Sequence, residues 1–162
     1  MSHSMKLWER VVEARLRREI SEQQYGFMPR KSTTDAMFAL RMLMEKYTGG
    51  QKEFHCFFVD LEKVYDRVPQ EYLWYCMRTS EVAEKYIRVV QDTYSGTSTM
   101  VRSAVGVTDA FNMKVGLHQG SALSPFLFAM VMDSLTDKIR QVSPWTMMLA
   151  DDIVICRCGD ML

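Results

Sequence analysis

Apolar residues recur along this chain at two different periods, and the switching between them predicts its elements. Leu7, Val11, Val12, Leu16 and Ile20 repeat at three- and four-residue intervals, the spacing that lines one face of an α-helix. Ala36, Met37, Leu40, Leu43, Met44 and Tyr47 do so again, and Ser32-Thr33-Thr34-Asp35 just before them offers side chains that cap a helix N-terminus. Both segments predict amphipathic helices. Gly49-Gly50 breaks the second, and the short unbroken run Phe54-His55-Cys56-Phe57-Phe58-Val59 predicts a buried strand that ends at Asp60. Pro69 permits a new helix through Leu73 and Met77, and 82–93 predicts another. Frequent β-branched residues over 97–107, then weak alternation over 111–115, predict a hairpin leading to Gly116. Ser124-Pro125 opens a helix through Phe128, Val131, Met132, Leu135 and Ile139, with Pro at an early position where its missing N–H costs nothing.

The acids at the ends of the greasy runs carry the candidate chemistry. Asp60 closes the first run, and Thr146-Met147-Met148-Leu149-Ala150 leads into Asp151-Asp152 before Ile153-Val154-Ile155 resumes. Burying carboxylates there costs several kcal/mol unless a cation compensates them, and clustered oxygens are usually compensated by a hard divalent metal ion. If Asp60 and Asp151 meet on neighbouring strands, they form a site for two Mg²⁺ ions roughly 3.5–4 Å apart, the arrangement that drives in-line phosphoryl transfer. A plain hairpin turn is the other account of Asp151-Asp152, since Asp favours turns.

Longer motifs surround these acids in a fixed order. Phe58-Val59-Asp60-Leu61-Glu62-Lys63-Val64-Tyr65-Asp66-Arg67-Val68-Pro69 comes first. Gly116-Leu117-His118-Gln119-Gly120-Ser121-Ala122-Leu123-Ser124-Pro125-Phe126-Leu127-Phe128 follows, and then Leu149-Ala150-Asp151-Asp152. The series resembles the reverse transcriptases of non-LTR, LINE-like retrotransposons, from about Lys6 to Cys156. Gln24-Tyr25-Gly26-Phe27-Met28-Pro29 with Ser32-Thr33-Thr34-Asp35-Ala36 resembles that family's finger motif. The resemblance implies an α+β fold, the antiparallel palm of a right-hand polymerase backed by helices, with partial fingers over 1–50, palm over 51–162, and no thumb. It implies an RNA-directed DNA polymerase that joins a nucleotide to a primer 3′-hydroxyl. Asp60 and Asp151 would bridge two Mg²⁺ ions, for which Mn²⁺ substitutes, and Asp152 would be the third catalytic acid. Tyr65 matches the aromatic residue under the nucleotide sugar that rejects a 2′-hydroxyl, although ordinary packing also accounts for such a ring. Gln119 and Gly120 match the loop against the nascent base pair, where Gly allows close backbone approach. Lys31, with Arg30, stands at the finger position nearest template or nucleotide, a place that a solvent-facing role would fill equally well. The implied partners are an RNA template, a DNA primer and deoxynucleoside triphosphates.

Composition narrows the picture only in part. With 162 residues, 48% of them hydrophobic, the chain is long enough for one ordinary core. Twenty basic and twenty acidic residues cancel, which argues mildly against a tight grip on a nucleic-acid duplex. The basic part is the beginning, with Arg10, Arg15, Arg17 and Arg18, which a solvated helix face explains, then Arg30 and Lys31. The four cysteines, at 56, 76, 156 and 158, lack paired CxxC spacing, so Cys156-x-Cys158 is a poor metal site. Apolar runs far short of about 20 residues and reduced thiols suit an intracellular protein, nuclear or cytoplasmic. Most of the 14 methionines stand at core-like positions.

Departures from the family pattern matter as well. Val64 stands where a small Ala is usual, Leu149 where an aromatic residue is usual, and Pro29-Arg30-Lys31-Ser32 where Pro-Gly-Arg-Ser is common. With the truncation implied at both ends, they leave open a second function class, an inactive retrotransposon relic that acts at most as a binding or scaffold module. A palm surface without its thumb should favour self-association, and poor solubility and negligible primer extension are expected of the isolated chain.

Overall fold

The computed structural model describes residues 3–16, 24–28, 30–143 and 145–158. Arg17, Arg18, Ile20, Pro29 and the side chain of Cys158 lie outside them. The described elements run α1 (His3–Leu16), α2 (Thr33–Gly49), β1 (Phe54–Asp60), α3 (Val64–Arg67), α4 (Gln70–Thr79), α5 (Glu84–Tyr94), β2 (Ser98–Thr99), β3 (Arg102–Ser103), β4 (Gly106–Val107), β5 (Phe111–Asn112), α6 (Ser124–Val142), β6 (Trp145–Leu149) and β7 (Asp152–Cys158).

Three strands make an antiparallel sheet in the order β1-β7-β6. Because side chains alternate along strands, the register assigns each sheet face its residues. One face carries Phe54, Cys56, Met147, Val154 and Cys156, and it packs on Tyr25 and on Ala39, Leu40 and Leu43 of α2. The other carries Met148, Ile153 and Ile155, which join the larger core built on α4, α5 and α6. That core is centred on fully enclosed Leu73, Met77, Ile87, Phe126, Leu127, Phe128 and Met132. Helix on one face and helices on the other give a mixed α+β architecture. α2 starts as its sequence predicts: Ser32 caps it, and the Ser32 and Asp35 side chains exchange hydrogen bonds with each other's backbone N–H. The 98–112 region forms two nested two-stranded ribbons, the predicted hairpin in finer detail.

Two expectations need correction. In α1 the inward stripe is Glu9, Val12 and Leu16, whereas Leu7 and Val11 are exposed. Hydrophobicity alone shifts the stripe by skipping an acid that is buried. β1 is not a buried strand: Phe57, Phe58 and Val59 face solvent, at 59%, 71% and 37% exposure. Its outer edge lacks a neighbour among the described strands, and α2 covers only its first residues, Phe54 and Cys56. Methionines also divide: Met77, Met130, Met132, Met147 and Met148 are buried, while Met37, Met42, Met44, Met100 and Met113 are exposed.

Candidate active site

β1 and β7 bring Asp60 together with Asp152, the acid next to the one that the sequence reading paired with it. Their antiparallel register sets Asp60 directly opposite Asp152, on the same sheet face. Directly opposed residues have Cβ atoms roughly 4.5–5.5 Å apart, so both carboxylates reach one small cation. β6 returns to β7 through a two-residue turn of Ala150 and Asp151, with Leu149 paired to Asp152. Asp151 therefore stands beside the pair, at the turn. All three acids are exposed, which corrects the premise that their burial demands compensation. They sit where the strands run out from between the helices. Among the described residues, no three His, Cys, Asp or Glu side chains are gathered closely enough to hold a metal ion unaided. The opposed pair fits a hard cation only with oxygens from water or phosphate completing the shell, as Mg²⁺ prefers.

The segment from Gln24 to Gly26 docks on the same turn. Gln24 bridges to Met148 as a short parallel pair, and the Tyr25 and Gly26 N–H groups both donate to Met148 O, at 2.8 and 3.3 Å. Gln24 is fully buried, and its Oε1 accepts from Gly26 N–H at 3.1 Å. A Cβ on Gly26 would lie 2.2 Å from Ala150 N, so only glycine allows this approach. Ala150 itself has φ 59°, a left-handed conformation that costs a non-glycine residue roughly 1–2 kcal/mol. Strain of this kind at a turn that carries acids is held by the surrounding contacts.

Residues 116–122 form the next wall. Gly116 N–H donates to Val68 O at 2.7 Å and Leu117 N–H to Tyr65 O at 3.1 Å, which ties the loop to α3, four residues beyond Asp60. Gln119 Nε2 donates to Asp66 Oδ1 at 2.9 Å. Gly116, at φ 92°, passes so close to Asp66 that a Cβ would stand 2.9 Å from its carbonyl oxygen. Gly120, at φ 76°, faces open space. Tyr65 is half-buried and packs its ring on Phe128, centroids 5.0 Å apart, and burial pushes its hydroxyl pKa up to about 12. The ring thus has a packing role, whatever else it does. Ser124 Oγ, beside the Tyr65 and Tyr94 hydroxyls, makes no hydrogen bond of good geometry among the described residues. His118 stacks on Tyr94 at 4.0 Å, and burial lowers its pKa while the nearby Glu9 opposes that shift.

Lys31 is half-buried, with its Nζ 5.0 Å from the centre of the Tyr25 ring, so it reaches the turn region through Tyr25. Arg30 is exposed and has φ 64°, the left-handed region that favours glycine. Val64 packs against the main core. Cys156 pairs with Cys56 across the strands, Sγ to Sγ 3.1 Å, and burial together with Cys56 raises its pKa to about 12. Arg10 and Arg15 are exposed, in keeping with a solvated helix face.

Comparison with known proteins decides the family. Residues 1–160 match the family model described as reverse transcriptase (RNA-dependent DNA polymerase). The chain belongs to the reverse transcriptase family. It is 27% identical over 139 residues to the probable RNA-directed DNA polymerase from transposon BS of Drosophila melanogaster, covering 80% of this chain and 15% of that protein. It is 25% identical over 113 residues to the retrovirus-related Pol polyprotein from type-2 retrotransposable element R2DM of the same organism, covering 70% of this chain and 11% of that one. The chain therefore spans a small part of the length of these relatives, one from a transposon and one from a retrotransposable element, in line with a fragment of a non-LTR reverse transcriptase. Apo telomerase from Candida tropicalis matches with TM-score 0.66 over 94% of this chain and 31% of that one, at 14% identity. Telomerase from Candida albicans, solved with the TWJ fragment of telomeric RNA, gives 0.63 over 93% and 29%, at 13% identity. At such identities the likeness speaks for the fold, that of a polymerase fragment. Sequence reading missed two of this chain's contacts: Gly26 on Ala150, and the buried Glu9 against the 116–122 loop. The finger motif hinted at the first, and nothing in the periodicity hinted at the second.

Proposed function

We propose that this chain is the palm, with part of the fingers over residues 1–50, of an RNA-directed DNA polymerase that adds deoxynucleotides to a primer on an RNA template. The observation that carries the reading is the opposition of Asp60 and Asp152 across β1 and β7, with Asp151 in the adjoining turn. A pair of divalent ions held there by Asp60, Asp151 and Asp152 would acidify the primer 3′-hydroxyl and neutralise charge on the triphosphate. The protein's own part is placement. β1 and β7 fix two carboxylates at one end of a sheet, and Gly26 buttresses the turn that carries the third. Gly120 leaves room for a base pair to approach, and Tyr65 offers an edge against the sugar while its ring rests on Phe128.

Primer extension on poly(rA)/oligo(dT) with Mg²⁺ or Mn²⁺ tests this, with Asp60→Asn as the background. Even a trace of incorporation is decisive: it should exceed that background and require both template and metal. Incorporation equal in wild type and Asp60→Asn overturns the role of Asp60. A wild type that incorporates no more than a reaction lacking template or metal places this chain with the inactive binding or scaffold module.

A further inference from the structure

α1 buries a carboxylate that the polymerase chemistry does not use. Glu9 is only 3% exposed. Its two oxygens divide the start of the 121–124 segment: Oε1 accepts from Ser121 Oγ–H at 2.9 Å, and Oε2 accepts from Ala122 N–H at 2.8 Å. Ser121 Oγ accepts in turn from the N–H groups of Leu123 and Ser124, at 3.2 and 3.3 Å. α6 is 19 residues long, and its N-cap position, Leu123, has no side chain that caps. Glu9 and Ser121 together supply what Leu123 lacks, and an anion near a helix N-terminus is stabilised by the positive end of the helix dipole.

The same contacts fix one end of a loop whose other end is already held. Residues 116–119 are tied to α3 and to Tyr94, by Gly116 to Val68, Leu117 to Tyr65, Gln119 to Asp66 and His118 to Tyr94. Glu9 holds 121 and 122. Gly120 is suspended between the two anchors, with open space where its side chain would be. A backbone stretched between fixed points and open on one side is set for a ligand to approach closely, with little ordering left to do.

We propose that Glu9 is a positioning residue: by clamping Ser121 and Ala122 it holds the Gln119–Gly120 backbone in place for the incoming nucleotide. This rests on the polymerase reading above. Glu9 touches no reacting atom and acts through the loop. Its contribution should appear as nucleotide affinity and not as stability of the core at large.

The test is amide hydrogen exchange on the 162-residue chain, with dTTP half-saturation in the presence of Mn²⁺, for wild type, Glu9→Ala and Glu9→Gln. In Glu9→Ala, amides of 118–124 should exchange faster while those of α4 and α5 keep their protection, and half-saturation should rise about tenfold, as expected for losing hydrogen bonds to a charged acceptor. Glu9→Gln keeps an acceptor for Ala122 N–H and should restore most of both, and it remains informative if Glu9→Ala does not fold. Unchanged exchange at 118–124, or loosening spread equally over α4 and α5, overturns the proposal, as does a loosened loop with unaltered dTTP half-saturation. Should wild type bind no dTTP, the polymerase reading fails and the nucleotide role of Glu9 falls with it, whereas the exchange data still decide whether Glu9 clamps the loop.

Discussion

Gly26 and Arg30 show how single residues bear on this site in opposite directions. Gly26 lies against the Ala150 backbone so closely that a methyl group has no room. Gly26→Ala should destabilise by about 1–3 kcal/mol, the usual cost of forcing atoms into a packed contact. Urea unfolding measures this, and a cost near zero would show that the turn yields. Arg30 holds φ 64° where glycine would be unstrained. Arg30→Gly should stabilise by up to about 1 kcal/mol, the relief of left-handed strain less the extra freedom of glycine in the unfolded chain. A loss of stability in the same melts would show that the arginine side chain contributes more than its backbone costs. His118 gives a pH dependence. Burial lowers its pKa in the folded protein, so the unfolded chain binds the proton more readily. Its stabilising effect is complete above the unfolded value near 6.5 and is lost as pH falls through that value towards the lowered one. Melting temperatures between about pH 7.5 and pH 5 should therefore fall more steeply for wild type than for His118→Phe, which keeps a ring on Tyr94. Parallel curves would remove His118 from the account.

At the scale of elements, the longer helices were legible from apolar period and punctuation, with the Ser32 cap, Gly49-Gly50, Pro69 and Ser124-Pro125 marking ends that the structure keeps, whereas the four-residue α3 was not. Exposure was not legible. The run at Phe54–Asp60 reads as a core strand, yet its place in the sheet is set by strand order, which no local pattern encodes. The candidate acids were found in sequence for a reason the structure changes, since they lie at open strand ends and not in a core. Glu9 escaped because a buried acid breaks the very periodicity used to find buried faces. Edge strands with exposed apolar residues template pairing with other chains. Phe58→Lys should accordingly reduce concentration-dependent association in sedimentation velocity, and association that is unchanged would place the sticky surface elsewhere.

For the whole molecule, the sheet, its two helical layers and the segment from Gln24 to Gly26 converge on one turn. α2 and Tyr25 cover one sheet face, α6 the other, and Gln24 to Gly26 brace the hairpin from the side. The arrangement leaves the acids at a solvent-facing end. Described helices offer no span long and apolar enough to cross a membrane. The claim on which the rest depends is that Asp60, Asp151 and Asp152 share divalent ions with a nucleotide. Mn²⁺ binding followed by water-proton relaxation, with and without dTTP, measures that sharing in the chain itself. Binding should be weak without dTTP, because few carboxylate oxygens are offered, and should tighten when dTTP supplies phosphate oxygens beyond those it offers free in solution. Asp60→Asn and Asp151→Asn should each remove the tightening. Tight Mn²⁺ binding that ignores dTTP, or a dTTP effect that survives both substitutions, would contradict the account.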